Sequence, residues 1–330
     1  MMRYQAHISL ETEADNALAA DAAHDAVALA TDPAAHAAAL ADLGKALLRQ
    51  GYHDAAEQHW RTALALDPGQ SNAIKRLAAL MLPRGGAAEL LHLCDKAVAA
   101  GKANSRVLAA KALALANLGR IDEARAVSGW DRFFHQSSMP PPPGWESLAA
   151  FNAALATAML VHPALRYDRY GSASSKTWRV DEPSTGGSPL VAALEAHIAQ
   201  AVNGWIGMLE GTDHPWLAAM PQRRVLHSWC VLTDGVGHET WHVHQFGWLS
   251  GVYYVTVPDA IRAGDDKRGC IGFGLDEALA GRDAAAAYGI DVVRPEQGML
   301  LLFPSHCYHR TWPHQSDERR IAFAFDVRAG

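Results

Sequence analysis

The run WHVHQFGWLSGVYYVTV, from Trp241 to Val257, constrains the fold more than any other stretch of the chain. Its second half, SGVYYVTV, carries no charged side chain and is rich in β-branched and aromatic residues, which predicts a strand buried on both faces. His242 and His244 stand just before it, at i and i+2. In extended backbone such residues point to the same side, so two imidazoles would lie next to each other and could take two adjacent positions on one metal ion. Burying them beside an apolar strand without partners would cost on the order of several kcal/mol.

Two later runs complete the pattern. GMLLLFPSHCYHRTW, from Gly298 to Trp312, is an apolar strand that ends on Pro304 and delivers His306 and His309 just beyond it. RRIAFAFDV, from Arg319 to Val327, is a third strand and opens on two arginines. Imidazole suits first-row transition metals, and three protein ligands with vacant positions describe a catalytic rather than a structural site. Strand parity separates the arginines. Arg320, Ala322, Ala324 and Asp326 share one face, which leaves room for a bound ligand, whereas Arg319 lies with Ile321, Phe323 and Phe325. Arg319 is therefore expected at the surface of a strand end. By the same rule Tyr254 lies with Ser250, Val252 and Thr256 on the more polar face of its strand.

In HVHQFGWLSGVYYV and LLFPSHCYHRTW the chain resembles the iron(II)- and 2-oxoglutarate-dependent oxygenases, and within them bacterial proteins that pair an HxH and SGVYYV run with a later FPS, H and RI run, often behind tetratricopeptide-like repeats. The likeness spans roughly residues 130–327. It implies a double-stranded β-helix, the jelly-roll type of antiparallel barrel. It also implies that His242, His244 and His309 hold Fe(2+) and that Arg320, with Tyr254 as a second contact, binds the distal carboxylate of 2-oxoglutarate, with O2 as the other co-substrate. His244 departs from the family, since Asp or Glu is usual in that slot. The change leaves an iron site one unit more positive. Gln245 stands where Pro is usual, a minor difference.

Upstream the chain is alanine-rich with helical periodicity. From Ala37, the residues Leu43, Gly44, Gly51, Ala56, Trp60, Ala63 and Pro68 fall at the offsets of the 34-residue tetratricopeptide unit. Small residues let paired helices approach, Trp60 fills the gap between them, and Pro68 closes the second helix. Degenerate units follow from Ser71 and Ser105. Stacked units leave a concave groove suited to an extended peptide, or serve only as a platform. The expected architecture is thus α+β: a tetratricopeptide-like helical domain over residues 1–128 and an oxygenase barrel over 129–330. Four consecutive prolines, Pro140 to Pro143, form a stiff connector after the boundary. RRVLHSWCVLTD, from Arg223 to Asp234, reads as a strand, with DGVGHET as its turn. CIGFGL reads as another strand; its two glycines lack the third glycine and following helix of a nucleotide loop. AIRAGDDKRG and DEALAGRDAAAAYG read as rim insertions. His227, His238, His306 and His314 are expected to be polar surface or supporting residues, and Cys307 a small core residue.

Composition narrows the partners. A net charge of −6, with Lys and Arg scattered, lacks the clustered basic face of a nucleic-acid-binding protein. Neither a signal peptide after MMRYQAHISLETEADN nor a membrane span is evident, and four widely spaced cysteines fit a reducing cytoplasm. The function expected is a dioxygenase that hydroxylates a peptide or protein side chain, captured by the repeats, or a small metabolite. Two rivals stand beside it: a three-histidine cupin-type dioxygenase without 2-oxoglutarate, and a tetratricopeptide adaptor with an inactive barrel.

Overall fold

The computed structural model describes residues 13–167, 173–209 and 214–330; the start of the chain, on which the reading of the N-terminus rests, lies outside them. Helices come first: α1 (Glu13–Leu29), α2 (Pro33–Arg49), α3 (His53–Leu66), α4 (Ser71–Met81), α5 (Ala87–Ala99), α6 (Ser105–Asn117) and α7 (Ile121–Ser128). The helix starts follow from side-chain caps. Asp32 accepts from the amides of Ala34 and Ala35, and Asn104 from those of Arg106 and Val107, satisfying donors that a helix leaves unpaired. α2 packs on α3, α4 on α5 and α6 on α7, while α4 also lies against α6. The close approach of α2 and α3 is set by Gly44: a Cβ there would sit 2.5 Å from Trp60 Nε1, which donates to Ala41 O at 3.1 Å.

After α8 (Trp130–Phe133) come β1 (His135–Ser138), α9 (Leu148–Leu160), β2 (Arg166–Tyr167), β3 (Ser174–Val180), α10 (Pro189–Ile206), α11 (Pro215–Ala218), β4 (Arg224–Glu239) and β5 (Leu249–Thr256). The chain continues through α12 (Asp259–Arg262), β6 (Ile271–Phe273), α13 (Glu277–Ala280), α14 (Arg282–Tyr288), β7 (Asp291–Val293), β8 (Met299–Pro304), β9 (His309–Thr311) and β10 (Arg320–Ala329). A seven-stranded sheet runs β1-β8-β5-β10-β4-β3-β2 and a three-stranded sheet runs β7-β6-β9. Every paired register is antiparallel.

Period-two alternation divides the large sheet's side chains. Leu300, Leu302, Tyr253, Val255, Phe323 and Phe325 are buried in one core with Phe151 and Leu155 of α9 and Val191 and Ile198 of α10. Tyr253 Oη donates to Asn152 Oδ1 at 2.7 Å there. The opposite face, with Val252, Tyr254, Leu301, Phe303 and Ala322, meets Ile271 and Phe273 of the small sheet. That apolar space between the sheets holds the site. The helical half is not a separate body hung on a linker, because the first core continues from Ala37 through Val127 to Val327. Trp130 and Phe134 pack among the rings of Phe273 and Phe303.

One local reading is corrected. DGVGHET does not turn the chain: β4 continues to Glu239, with a register shift between Ser175 and Thr177 of β3. Gly237 serves that irregularity, since a Cβ would lie 2.6 Å from Lys176 O, so glycines that look like a hairpin mark a bulge instead. The segment before the prolines also contains β1, paired with β8; a four-residue polar strand has no hydrophobic alternation to announce it.

Candidate metal centre and its cavities

His242, His244 and His309 come together, each offering a ring nitrogen within 4.8 Å of the others. Backbone pairing places them. His242 and His309 exchange both main-chain hydrogen bonds, at 3.1 and 3.0 Å, and His244 N donates to Ser305 O at 3.0 Å. The rings are oriented through Nδ1, which lies 2.7 Å from Thr240 O in His242, 3.0 Å from Cys307 O in His309 and 2.6 Å from Asp326 Oδ1 in His244. A proton on each Nδ1, donated to these oxygens, leaves a lone pair on each Nε2. In that tautomer the Nε2 atoms of His242 and His244, 3.2 Å apart, would face each other as two lone pairs. Two ligands at right angles on bonds of about 2.1 Å are separated by roughly 3 Å, so a cation fits what is otherwise a repulsive contact.

Burial, reinforced by the neighbouring His244, pushes the pKa of His242 down to about 3. Burial with His242 and His244 pushes His309 well below the ordinary imidazole range. Both rings are therefore neutral and available as ligands at neutral pH. Asp326 shows how the third histidine is accommodated. Burial opposes its ionisation, but His244, Arg328 and Ser250 outweigh this and hold it down to about 2. The carboxylate absent from position 244 is thus present one residue further out, hydrogen-bonded to the imidazole that replaces it.

Asp326 is itself fixed. Ser250 Oγ donates to Asp326 Oδ1 at 2.8 Å and lies 2.7 Å from Ser305 Oγ, while Arg328 Nη2 donates to Asp326 Oδ2 at 2.9 Å. Any side chain at Gly247 would collide with the Ser305 hydroxyl and press on Asp326. The register Asp326↔Ser250 puts both on the inner face, two pairs beyond Ala324↔Val252.

At the other end of that face a cavity of about 60 Å³ lies between the histidines and Arg320, walled by Tyr254, Val252, Ala322, Ala324 and Thr311. Arg320 is buried, and its one hydrogen bond among the described residues goes from Nη1 to Gly269 O at 3.0 Å. Burial lowers its pKa, with Tyr254 and Glu239 opposing the shift. Burial pushes Tyr254 up to about 12, so it remains a phenol, and no partner for its hydroxyl occurs among the described residues. Arg319 instead points outward to Asp234, Nε to Oδ1 at 2.7 Å, as parity predicts.

A second cavity, of about 690 Å³, opens on the other side of His242 and His244. Trp229, Glu239 and these two histidines border both cavities. Of the rim insertions, the second supplies Asp276 and Leu279 to the large cavity; the first lies over Arg320 through Gly269. Lys75 of α4 and Arg106 of α6 reach it from the helical half. Neither these nor Asp326, Ser250, Glu239 and Trp229 stood out in the sequence as site residues; parity alone placed Asp326 and Ser250 on the inner faces.

The remaining histidines divide. His227 borders the large cavity and His238 is half-buried beside Val236 O. His306 and His314, expected as surface or supporting residues, lie buried: both are about 2% exposed, with Nε2 at 2.8 Å from Val127 O and 3.1 Å from Thr233 O respectively. His306 faces the helical half, which local sequence cannot reveal. Cys307 is buried as expected, and burial raises its thiol pKa.

Residues 227–326 match the family described as "Putative 2OG-Fe(II) oxygenase". No curated protein matches the chain. Solved structures similar to it include a prolyl-4-hydroxylase from Pseudomonas putida (15% identity, 64% of this chain and 99% of that one, TM-score 0.38). Others are the non-heme alpha-ketoglutarate-dependent epimerase SnoN from nogalamycin biosynthesis (17%, 63% and 82%, 0.43) and a prolyl hydroxylase from Trichoplax adhaerens in complex with a hypoxia-inducible-factor peptide fragment (12%, 66% and 90%, 0.43). Among the described residues no helix is long and apolar enough to cross a membrane.

Proposed function

We propose that the protein is an iron(II)- and 2-oxoglutarate-dependent dioxygenase that hydroxylates a peptide side chain or a small metabolite. The observation that carries this is the placement of three convergent imidazoles between a small cavity ending on a buried arginine and a large cavity open to substrate. His242, His244 and His309 would hold Fe(2+) through Nε2. Arg320 and the Tyr254 phenol would bind the distal carboxylate of 2-oxoglutarate, for which a buried guanidinium with a single carbonyl partner is suited. Bound there, the metal and co-substrate would supply the O2 chemistry.

The chain's own residues do the rest. Asp326 fixes the tautomer of His244 and adds negative charge to the ligand set. Val252, Ala322 and Ala324 keep water from the co-substrate and leave it room. We read the two facing sheets as a double-stranded β-helix over residues 129–330 and the helices of 1–128 as tetratricopeptide-like repeats. Four free, buried cysteines suit a reducing cytoplasm.

The three-histidine ligand set favours one other reading, a dioxygenase independent of 2-oxoglutarate, but that leaves Arg320 without a role. Incubation with Fe(2+), 2-oxoglutarate, ascorbate and O2, followed by succinate measurement, separates them. Succinate formation that is lost in His309→Ala, and that needs far more 2-oxoglutarate in Arg320→Ala, is expected. Iron binding with no dependence of turnover on 2-oxoglutarate would overturn the proposal in favour of the second reading.

A further inference from the structure

We infer that the substrate of this site carries an anionic group, a carboxylate or phosphate, which Lys75 and Arg106 of the helical half receive at the mouth of the large cavity. This rests on the reading of the histidine cluster as a reaction centre, and it makes the repeats part of the substrate pocket rather than a platform.

The two cations come from successive repeat hairpins, Lys75 on α4 and Arg106 on α6, yet they line the same cavity as His242 and His244. The α6 cation is fixed by contacts to the loop that follows the ligands. Arg106 Nη2 donates to Gln245 Oε1 at 3.0 Å, and Ser105 Oγ donates to Gly247 O at 2.6 Å. That loop is clamped from below, since Trp216 and Trp248 stack at 4.5 Å and exchange indole-to-carbonyl hydrogen bonds of 2.7 Å each way. The α6 terminus and the metal ligands therefore form one rigid wall.

The other charged side chains of that cavity have hydrogen-bond partners of their own. Arg179 donates to Asp181 at 2.6 Å and lies over the Trp229 ring; Arg328 is held by Asp326. Asp276 accepts from the Ala278 amide, and Glu239 from Ser174. Among the described residues Arg106 and Lys75 have no carboxylate partner. Among the described residues Lys75 makes no hydrogen bond or ion pair, and Arg106 Nε is buried with none. Arg76 and Lys45 add further positive charge around Lys75.

Like charges gathered in a partly desolvated cavity destabilise the fold. Burial first, and then Arg106, Arg76 and Lys45, push the Lys75 ammonium down to about 8. Composition does not explain the cluster, because the chain as a whole carries a net charge of −6. An anion placed between Lys75 and Arg106 would relieve the repulsion and satisfy the free donors. The cavity is of the size that takes a small molecule or an amino-acid side chain with its neighbours. An acidic segment of a peptide and a free polycarboxylic acid are both sources of such a group.

The test is binding to the full-length protein, by fluorescence anisotropy and calorimetry. The probes are a labelled Glu-rich peptide, the same peptide with Gln for every Glu, and benzene-1,3,5-tricarboxylate, too bulky for the small Arg320 cavity. We expect at least one acidic probe to bind about tenfold or more tighter than the Gln peptide, to weaken with salt, and to lose about tenfold in Lys75→Gln and in Arg106→Gln. Preference for the Glu peptide identifies a peptide source; binding of the tricarboxylate alone identifies a free acid. Equal binding of Glu and Gln peptides with none of the tricarboxylate, or acidic binding that both variants leave intact, would overturn the inference. Lys75 keeps part of its surface in solvent, so Lys75→Gln keeps the test meaningful should Arg106→Gln destabilise the chain. Because the readout is binding, failure here is distinct from failure to form succinate.

Discussion

Asp326→Asn is the substitution that probes the centre most directly. Asn is nearly isosteric and can still accept from His244 Nδ1 through its amide oxygen, so ring orientation is kept while the charge, and with it the Arg328 ion pair, is removed. Asp326→Ala removes both. The native contact is short, 2.6 Å, and the carboxylate is buried, so little of its charge is screened by water. Replacing an outer partner of a ligating histidine costs about 10- to 100-fold in metal affinity, or about 1.4–2.7 kcal/mol. We expect Asp326→Asn near the lower figure and Asp326→Ala near the higher.

The Arg328 ion pair confounds a simple stability measurement, since it is lost with Asp326. Arg328→Met removes the same pair without touching His244. It should lower the unfolding midpoint comparably while leaving metal affinity within about twofold. The assay is a competition titration of Fe(2+), or of Co(2+) followed by its visible absorption, against a chelator, with thermal unfolding run in parallel. Metal affinity unchanged in both Asp326 variants, with the fold intact, would refute the role given to this carboxylate.

Arg320→Ala should raise the 2-oxoglutarate requirement about 100-fold, the loss of a buried charge contact of roughly 2–4 kcal/mol, while the unfolding midpoint holds, because a poorly satisfied buried guanidinium is removed; a matching fall in stability would show the effect to be structural. Trp60→Ala should destabilise by about 3–5 kcal/mol and Gly44→Ala by about 1–3 kcal/mol in chemical denaturation, and a silent Gly44→Ala would contradict the packing of α2 on α3. The metal-free protein should lose stability as pH falls from about 6.5 towards 3. His242, His306 and His309 are held neutral in the fold by burial but take up protons when unfolded, so the unfolded state binds more protons across that window. Melting temperatures in chelator that stay flat from pH 7 to about pH 5 would refute this.

Local pattern determined much of this protein. A period of two in WHVHQFGWLSGVYYVTV puts two imidazoles on one side of the chain. The same period puts Arg320 on the inner face and Arg319 on the other. The spacing of small and large residues from Leu43 to Ala63 brings Gly44 against Trp60, because a small residue and a large one on facing helices meet when the two helices pair. Each of these follows from backbone geometry over a few turns or strand positions.

The tertiary structure decided the rest. Asp326 reaches His244, Lys75 and Arg106 reach the cavity beside His242, and His306 lies under Val127, all through contacts between residues far apart in the chain. Periodicity states which face of an element is apolar, not which other element will cover it. The pairing of His242 with His309 is fixed by two backbone hydrogen bonds across the sheets, to which side-chain identity contributes nothing. The glycines of β4 were ambiguous for the same reason, since a turn and a bulge ask for the same residue and only the partner strand distinguishes them.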